Sequence, residues 1–133
     1  MIVVDNSVLV AFWLPGDLAA VAELAKVRDG LWAAPVVWRA EFRNVLASYL
    51  RKKWMTEAEA NAAYVNAQKD LGPQEFTVPT ERILQLVVAS DCPAPACEYV
   101  ALAQDLGVPL VTTDKQILRE FPKFAVALEK FAE

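Results

Sequence analysis

Three acidic residues stand where apolar sequence would otherwise run on. Asp5 closes Ile2-Val3-Val4 and Asp114 closes Leu110-Val111-Thr112-Thr113, two β-branched runs of the kind that form strands buried on both faces of a parallel sheet. Open parallel sheets place their ligand crevice beyond the carboxyl ends of the strands, so both carboxylates are expected at one sheet edge. Glu41 joins them because it lies between Trp38 and Val45, on the apolar stripe of a long helix rather than on its solvent face. A carboxylate there is costly unless paired or bound to a cation, and a cluster of like charges is stable mainly when a cation sits among them.

The chain has no histidine, which excludes Ser-His-Asp and Cys-His catalysis and any imidazole metal site. A donor set made only of hard oxygens suits Mg2+ or Mn2+. Such a cation lowers the pKa of a bound water and stabilises charge during in-line attack on a phosphate, so metal-assisted phosphodiester hydrolysis is the natural reaction. Each acid also has a purely structural reading. Asp5 could cap the helix that starts near Val8, Asp114 could cap the helix after it, and Glu41 could pair with Arg39 or Arg43.

The elements that must position these residues can be read along the chain. Ile2–Val4 is a strand, Ser7 is placed to cap a helix through Trp13, and Pro15-Gly16 stops it. A second helix runs from about Leu18 to Val27, and Leu31–Ala34 before Pro35 reads as a second strand. Val36–Lys52 has helical apolar spacing, and Thr56 with Glu59 forms a capping box for a helix to Leu71, closed by Gly72-Pro73. Phe76–Val78 is a strand candidate, and Thr80 is placed to cap a helix over Glu81–Ala89. A small, proline-rich stretch from Ser90 to Pro95 precedes a helix from Cys97 to Leu106, ended by Gly107. Pro109–Thr113 is a strand, Gln116–Phe121 a short helix, and Phe124–Leu128 a last strand. Strands alternating with helices imply an α/β fold with a parallel sheet between helical layers, in one domain spanning 1–133.

Bulk properties agree. Hydrophobic residues make up 56% of the 133 and charged residues 23%, an apolar excess that needs a tightly packed interior or a subunit or partner interface. No apolar run reaches the length of a membrane span, and the start has no basic region of a signal peptide, so cytoplasmic residence is expected. Cys92 and Cys97 are too few for a disulfide framework and read as reduced structural thiols. A net charge of −4 argues against holding nucleic acid by broad charge neutralisation. Only Arg39, Arg43, Arg51, Lys52 and Lys53 form a concentrated basic stretch, which also fits a solvated helix face.

Taken together, Val-Val-Asp5-Asn-Ser7-Val-Leu, Glu41-Phe-Arg-Asn44-Val-Leu, and Tyr99-Val-Ala-Leu-Ala103 followed by Leu-Gly-Val-Pro-Leu-Val-Thr112-Thr-Asp114 resemble the PIN-domain ribonucleases, especially the VapC-type toxins of toxin–antitoxin operons. The resemblance implies a three-layer α/β/α sandwich and a Mg2+- or Mn2+-dependent endoribonuclease acting on RNA. It also implies a homodimer held inactive by a cognate antitoxin whose tail occupies the active-site groove. Asp5, Glu41 and Asp114 match the family's acidic positions, with Ser7 and Thr112 as polar companions and Asn44 a further match. One position departs. Ala96 stands where the family carries another aspartate, at the start of the helix containing Tyr99. Glu98 and Asp91 are the nearest substitutes, although Glu98 lies about 200° around a helix from position 96. Loss of one carboxylate should weaken metal affinity, which makes impaired activity the expectation.

Two other classes compete. The same scaffold could be a non-enzymatic module that dimerises and engages an antitoxin or RNA, using Phe12, Trp13, Trp38 and Trp54 near helix ends or solvent. A receiver-like phosphohydrolase also places acids at strand ends, but it needs a second Asp soon after the first, and Asn6-Ser7-Val8 supplies none.

Overall fold

In the computed structural model, which describes all 133 residues, five short strands form the centre. They are β1 (Ile2–Val4), β2 (Trp32–Pro35), β3 (Glu75–Phe76), β4 (Leu110–Thr112) and β5 (Ala125–Ala127), ordered β3-β2-β1-β4-β5. Every pairing is parallel. The helices are α1 (Asn6–Trp13), α2 (Ala19–Arg28), α3 (Trp38–Arg51), α4 (Glu57–Leu71), α5 (Thr80–Val88), α6 (Ala94–Leu106), α7 (Lys115–Glu120) and α8 (Leu128–Phe131). β1, β2 and β4 are buried throughout, which is why they read as continuous apolar runs rather than alternating ones. Helices flank the sheet as a three-layer α/β/α sandwich; α6, backed by α5, lies against β1, β2 and β4, while α1 and α8 contact β4 as well.

The order matters for the site. After β1 the chain moves outward to β2 and β3, and it later returns to add β4 and β5 on the other side of β1. β1 and β4 are therefore neighbours whose outgoing connections diverge, the place where parallel sheets open a crevice at their carboxyl ends. Their register pairs Val3 with Leu110 and Val4 with Val111, so Asp5 comes level with Thr112.

The core is one cluster in which Trp32, Trp38, Phe42, Tyr99 and Ile2 are among the largest fully buried side chains. Trp38 is a core residue, as its place on the apolar stripe implies, and not the exposed anchor the binding-module reading would use. Its ring is fully buried, and its Nε1 donates to Glu75 Oε2 at 2.5 Å. Arg39 grips the same carboxylate with Nε and Nη2, both at 2.7 Å, so α3 holds the edge strand β3 through one bidentate pair.

The capping box at Thr56 and Glu59 is present, and Gly107 ends α6 at φ +67 in the left-handed region that favours glycine. Several boundaries differ from the sequence reading. Asp5, not Ser7, caps α1. Thr80 makes no side-chain cap and sits inside α5, behind Pro79. β3 starts at Glu75, and α8 follows β5 where only a strand was expected. Most consequential, α6 begins at Ala94 rather than Cys97, with Pro93 as N-cap and Pro95 in the first turn. Proline breaks helix interiors but suits the first turn, whose N–H groups have no intrahelical partner.

Candidate active site

Asp5, Glu41 and Asp114 line one cleft of about 500 Å3 at the carboxyl ends of β1 and β4. Ser7, Ala96 and Tyr99 are also part of its wall. Three elements thus deliver the acids independently: the end of β1, the first turn of α3, and the end of β4.

Asp5 is the deepest. Its side chain accepts from Ser7 Oγ at 2.5 Å and from the Val8 amide at 3.3 Å on Oδ1, while Thr112 Oγ1 donates to Oδ2. It is therefore a helix cap and a cleft residue at once, and the two readings of this residue do not compete. Burial pushes its pKa up from 3.8 to about 6, against the pull of the Ser7, Thr112 and Val8 hydrogen bonds, and the nearby Asp114 charge adds to the rise. A carboxylate held this way lacks a counter-charge.

Asp114 caps α7, with Oδ1 accepting from the amides of Gln116 at 2.8 Å and Ile117 at 3.1 Å. Its own amide donates to Thr112 Oγ1 at 2.9 Å. Ser7 Oγ accepts from the Thr113 amide at 3.0 Å, so Ser7 and Thr112 stitch the ends of β1 and β4 together through Asp5. Of the auxiliary candidates Ser7, Thr112 and Glu98, the first two thus hydrogen-bond Asp5.

Glu41 pairs with neither Arg39 nor Arg43. Tyr99 Oη donates to Glu41 Oε1 at 2.7 Å, from a ring that is 2% exposed. Burial first, and the Glu41 charge second, hold the Tyr99 phenol well above its ordinary pKa, so it remains a hydrogen-bond donor at any working pH. Tyr99 was part of the sequence pattern without a role assigned; its spacing of three from Ala96 on one helix face was the available signal.

Ala96 lies in the first turn of α6 and lines the cleft, at the position where an additional acid was expected. Glu98 does not replace it. It is not among the residues lining the cleft; burial first, and then the Glu41 charge, raise its pKa against the pull of the Val37 backbone. Asp91 is exposed and engaged through its backbone, with its amide on Glu120 and its carbonyl accepting from Gln116. Asn44 is exposed and outside the cleft.

The donor chemistry fits a hard divalent cation, since apart from the Asn6 amide nitrogen the polar side-chain groups lining the cleft are oxygens, and Glu41 Oε2 and Asp114 Oδ2 carry no internal hydrogen bond. No three acidic or thiol side chains converge into a closed metal-holding group. Any cation the cleft took would therefore draw much of its coordination from waters or a phosphate.

The PIN domain family matches residues 2–123, and the chain belongs to that family. PIN domains are generally nucleases and typically use divalent metals. The crystal structure of PAE2754 from Pyrobaculum aerophilum has the same fold, with a TM-score of 0.78 at 22% identity over 98% of this chain and 92% of that one. No curated protein matches. No helix is long and apolar enough to cross a membrane.

Proposed function

We propose that this chain is a Mg2+- or Mn2+-dependent endoribonuclease, slowed by the apolar residue at position 96, and that it serves as the toxin of a toxin–antitoxin pair. The convergence of Asp5, Glu41 and Asp114 on one cleft at the β1–β4 divergence carries this reading. Asp5, with Glu41 Oε2 and Asp114 Oδ2, would hold the cation. When bound, it supplies an activated water and neutralises charge on the scissile phosphate.

The chain's own residues do the rest. Ser7 and Thr112 fix both oxygens of Asp5, the backbone of α7 fixes Asp114, and Tyr99 orients Glu41. Preorganised carboxylates cost little rearrangement when charge arrives. Ala96 presents a methyl group where a further carboxylate would complete the set, which lowers cation affinity without disturbing α6.

A cognate antitoxin and a homodimer are what the same resemblance implies. Exposed Leu84 and Val88, one turn apart on α5, supply apolar surface for a subunit or antitoxin contact. A second reading, a binding module without turnover, draws on the absence of a closed three-acid group.

Cleavage of RNA with Mn2+ by the parent and by Ala96→Asp tests the proposal. Faster cleavage by the variant, abolished by chelator, supports it. Equal and robust cleavage by both forms shows that the acid at 96 is dispensable, and no cleavage by either favours the binding module.

A further inference from the structure

The acidic cleft does not end at Glu41. A second cleft of about 310 Å3 shares Ser7 and Val10 with it and continues past Gly16 to Tyr49, two turns further along α3. Tyr49 Oη donates to the Pro15 carbonyl at 3.0 Å, which fixes this wall to the turn between α1 and α2. The Tyr49 ring meets Trp54 edge-on, with centroids 5.2 Å apart. Glu41 and Tyr49 are separated by about 12 Å along the helix axis, so the path is short enough for a few nucleotides.

Trp54 is 60% exposed, the most exposed tryptophan in a chain that otherwise keeps its indoles in or against the core. Arg51, Lys52 and Lys53 precede it, all exposed, in a protein whose net charge is −4. Lys52 Nζ sits 4.5 Å from the Trp54 ring centroid. The backbone here is specific. The Lys53 amide donates to the Leu50 carbonyl and the Trp54 amide to the Tyr49 carbonyl, the paired closure of a Schellman motif. Its left-handed position is filled by Lys53 at φ +59, where glycine is favoured. A charged residue is thus kept at a strained position beside an exposed indole.

From this juxtaposition we infer that Trp54 with Arg51, Lys52 and Lys53 forms a single-stranded RNA subsite, joined to the acidic cleft by the Ser7–Val10–Tyr49 groove. The inference rests on the ribonuclease reading of that cleft. A base stacks on the indole while the cations meet the flanking phosphates, an arrangement that recognises single strands without reading sequence. Like charge keeps phosphates off the acids until a cation is present, so affinity resides in the patch.

The test is anisotropy of a labelled single-stranded oligoribonucleotide with the full chain in chelator, where metal-dependent turnover cannot intrude. Trp54→Ala is expected to weaken binding roughly ten-fold, and Trp54→Tyr to restore most of it. Lys52→Ala with Lys53→Ala should flatten the slope of log affinity against log salt by about 1.4. A strand of abasic nucleotides should bind parent and Trp54→Ala alike. Unchanged RNA affinity in Trp54→Ala overturns the inference, as does an equal loss for the abasic strand. So does a Trp54→Ala variant that binds RNA normally but loses a purified antitoxin-like helix, which makes the face a protein interface. Cleavage with Mn2+ is scored separately. Trp54-dependent binding without cleavage removes the nuclease reading and leaves the subsite; cleavage with Trp54-independent binding removes the subsite alone.

Discussion

Asp5→Asn should make the metal-free protein more stable at pH 7. The folded state holds the Asp5 proton more tightly than the unfolded chain, so stability falls as pH rises from 3.8 to about 6. A carboxyl displaced that far removes roughly 3 kcal/mol at pH 7 and about 0.5 kcal/mol at pH 4. Asparagine keeps an acceptor for the Val8 amide and Ser7 Oγ, and its amide can donate to Thr112 Oγ1, which already accepts from the Asp114 amide. What is lost is the acceptor for the Thr112 proton, about 1 kcal/mol. The net gain of about 2 kcal/mol corresponds to a rise in Tm of roughly 6 °C at pH 7, disappearing near pH 4. Thermal unfolding of both proteins in chelator at the two pH values measures it. With excess Mn2+ the order should narrow or reverse, because the cation stabilises only a folded state that binds it. An equal or lower Tm for Asp5→Asn at pH 7, or the same difference at both pH values, would refute the claim that Asp5 is a buried charge awaiting a cation.

Ala96→Asp should raise the RNA cleavage rate and lower the Mn2+ concentration giving half-maximal rate, by ten-fold or more, in a metal-titrated cleavage assay. Tyr99→Phe leaves Glu41 without its donor; a loss of about 1 kcal/mol in denaturant unfolding is expected. In a calorimetric titration the same variant should bind Mn2+ roughly ten-fold more weakly. Lys53→Gly relieves a left-handed residue worth about 1 kcal/mol, so Tm should rise by roughly 3 °C while RNA affinity falls.

The parts of this molecule legible in the sequence are those where one local signal dominates. β1 and β4 announce themselves as β-branched runs closed by Asp5 and beyond by Asp114, and α4 by its capping box, because those features decide conformation within a few residues. Glu41 was legible through helical phase alone. Tyr99 was visible in the pattern, but its hydroxyl's partner lies on α3, and no periodicity encodes a contact across that separation. The start of α6 was misread because Pro93 and Pro95 look like breakers, whereas α6 uses them in its cap and first turn. Trp38 was legible as core from its place on the apolar stripe of α3, whereas the partner of its indole N–H, Glu75, comes from β3, which only the tertiary fold brings to α3. For Glu98 the rotation from position 96 argues against its replacing the missing acid, and it is not among the cleft-lining residues.

The central claim is that the cleft of Asp5, Glu41 and Asp114 binds a divalent cation for phosphodiester chemistry. Isothermal titration of Mn2+ into the parent and into Glu41→Gln tests it most directly. The parent should give saturable binding at or below millimolar metal, weakened in the variant and strengthened by Ala96→Asp. No detectable binding by the parent at millimolar Mn2+, or binding indifferent to Glu41, would contradict it.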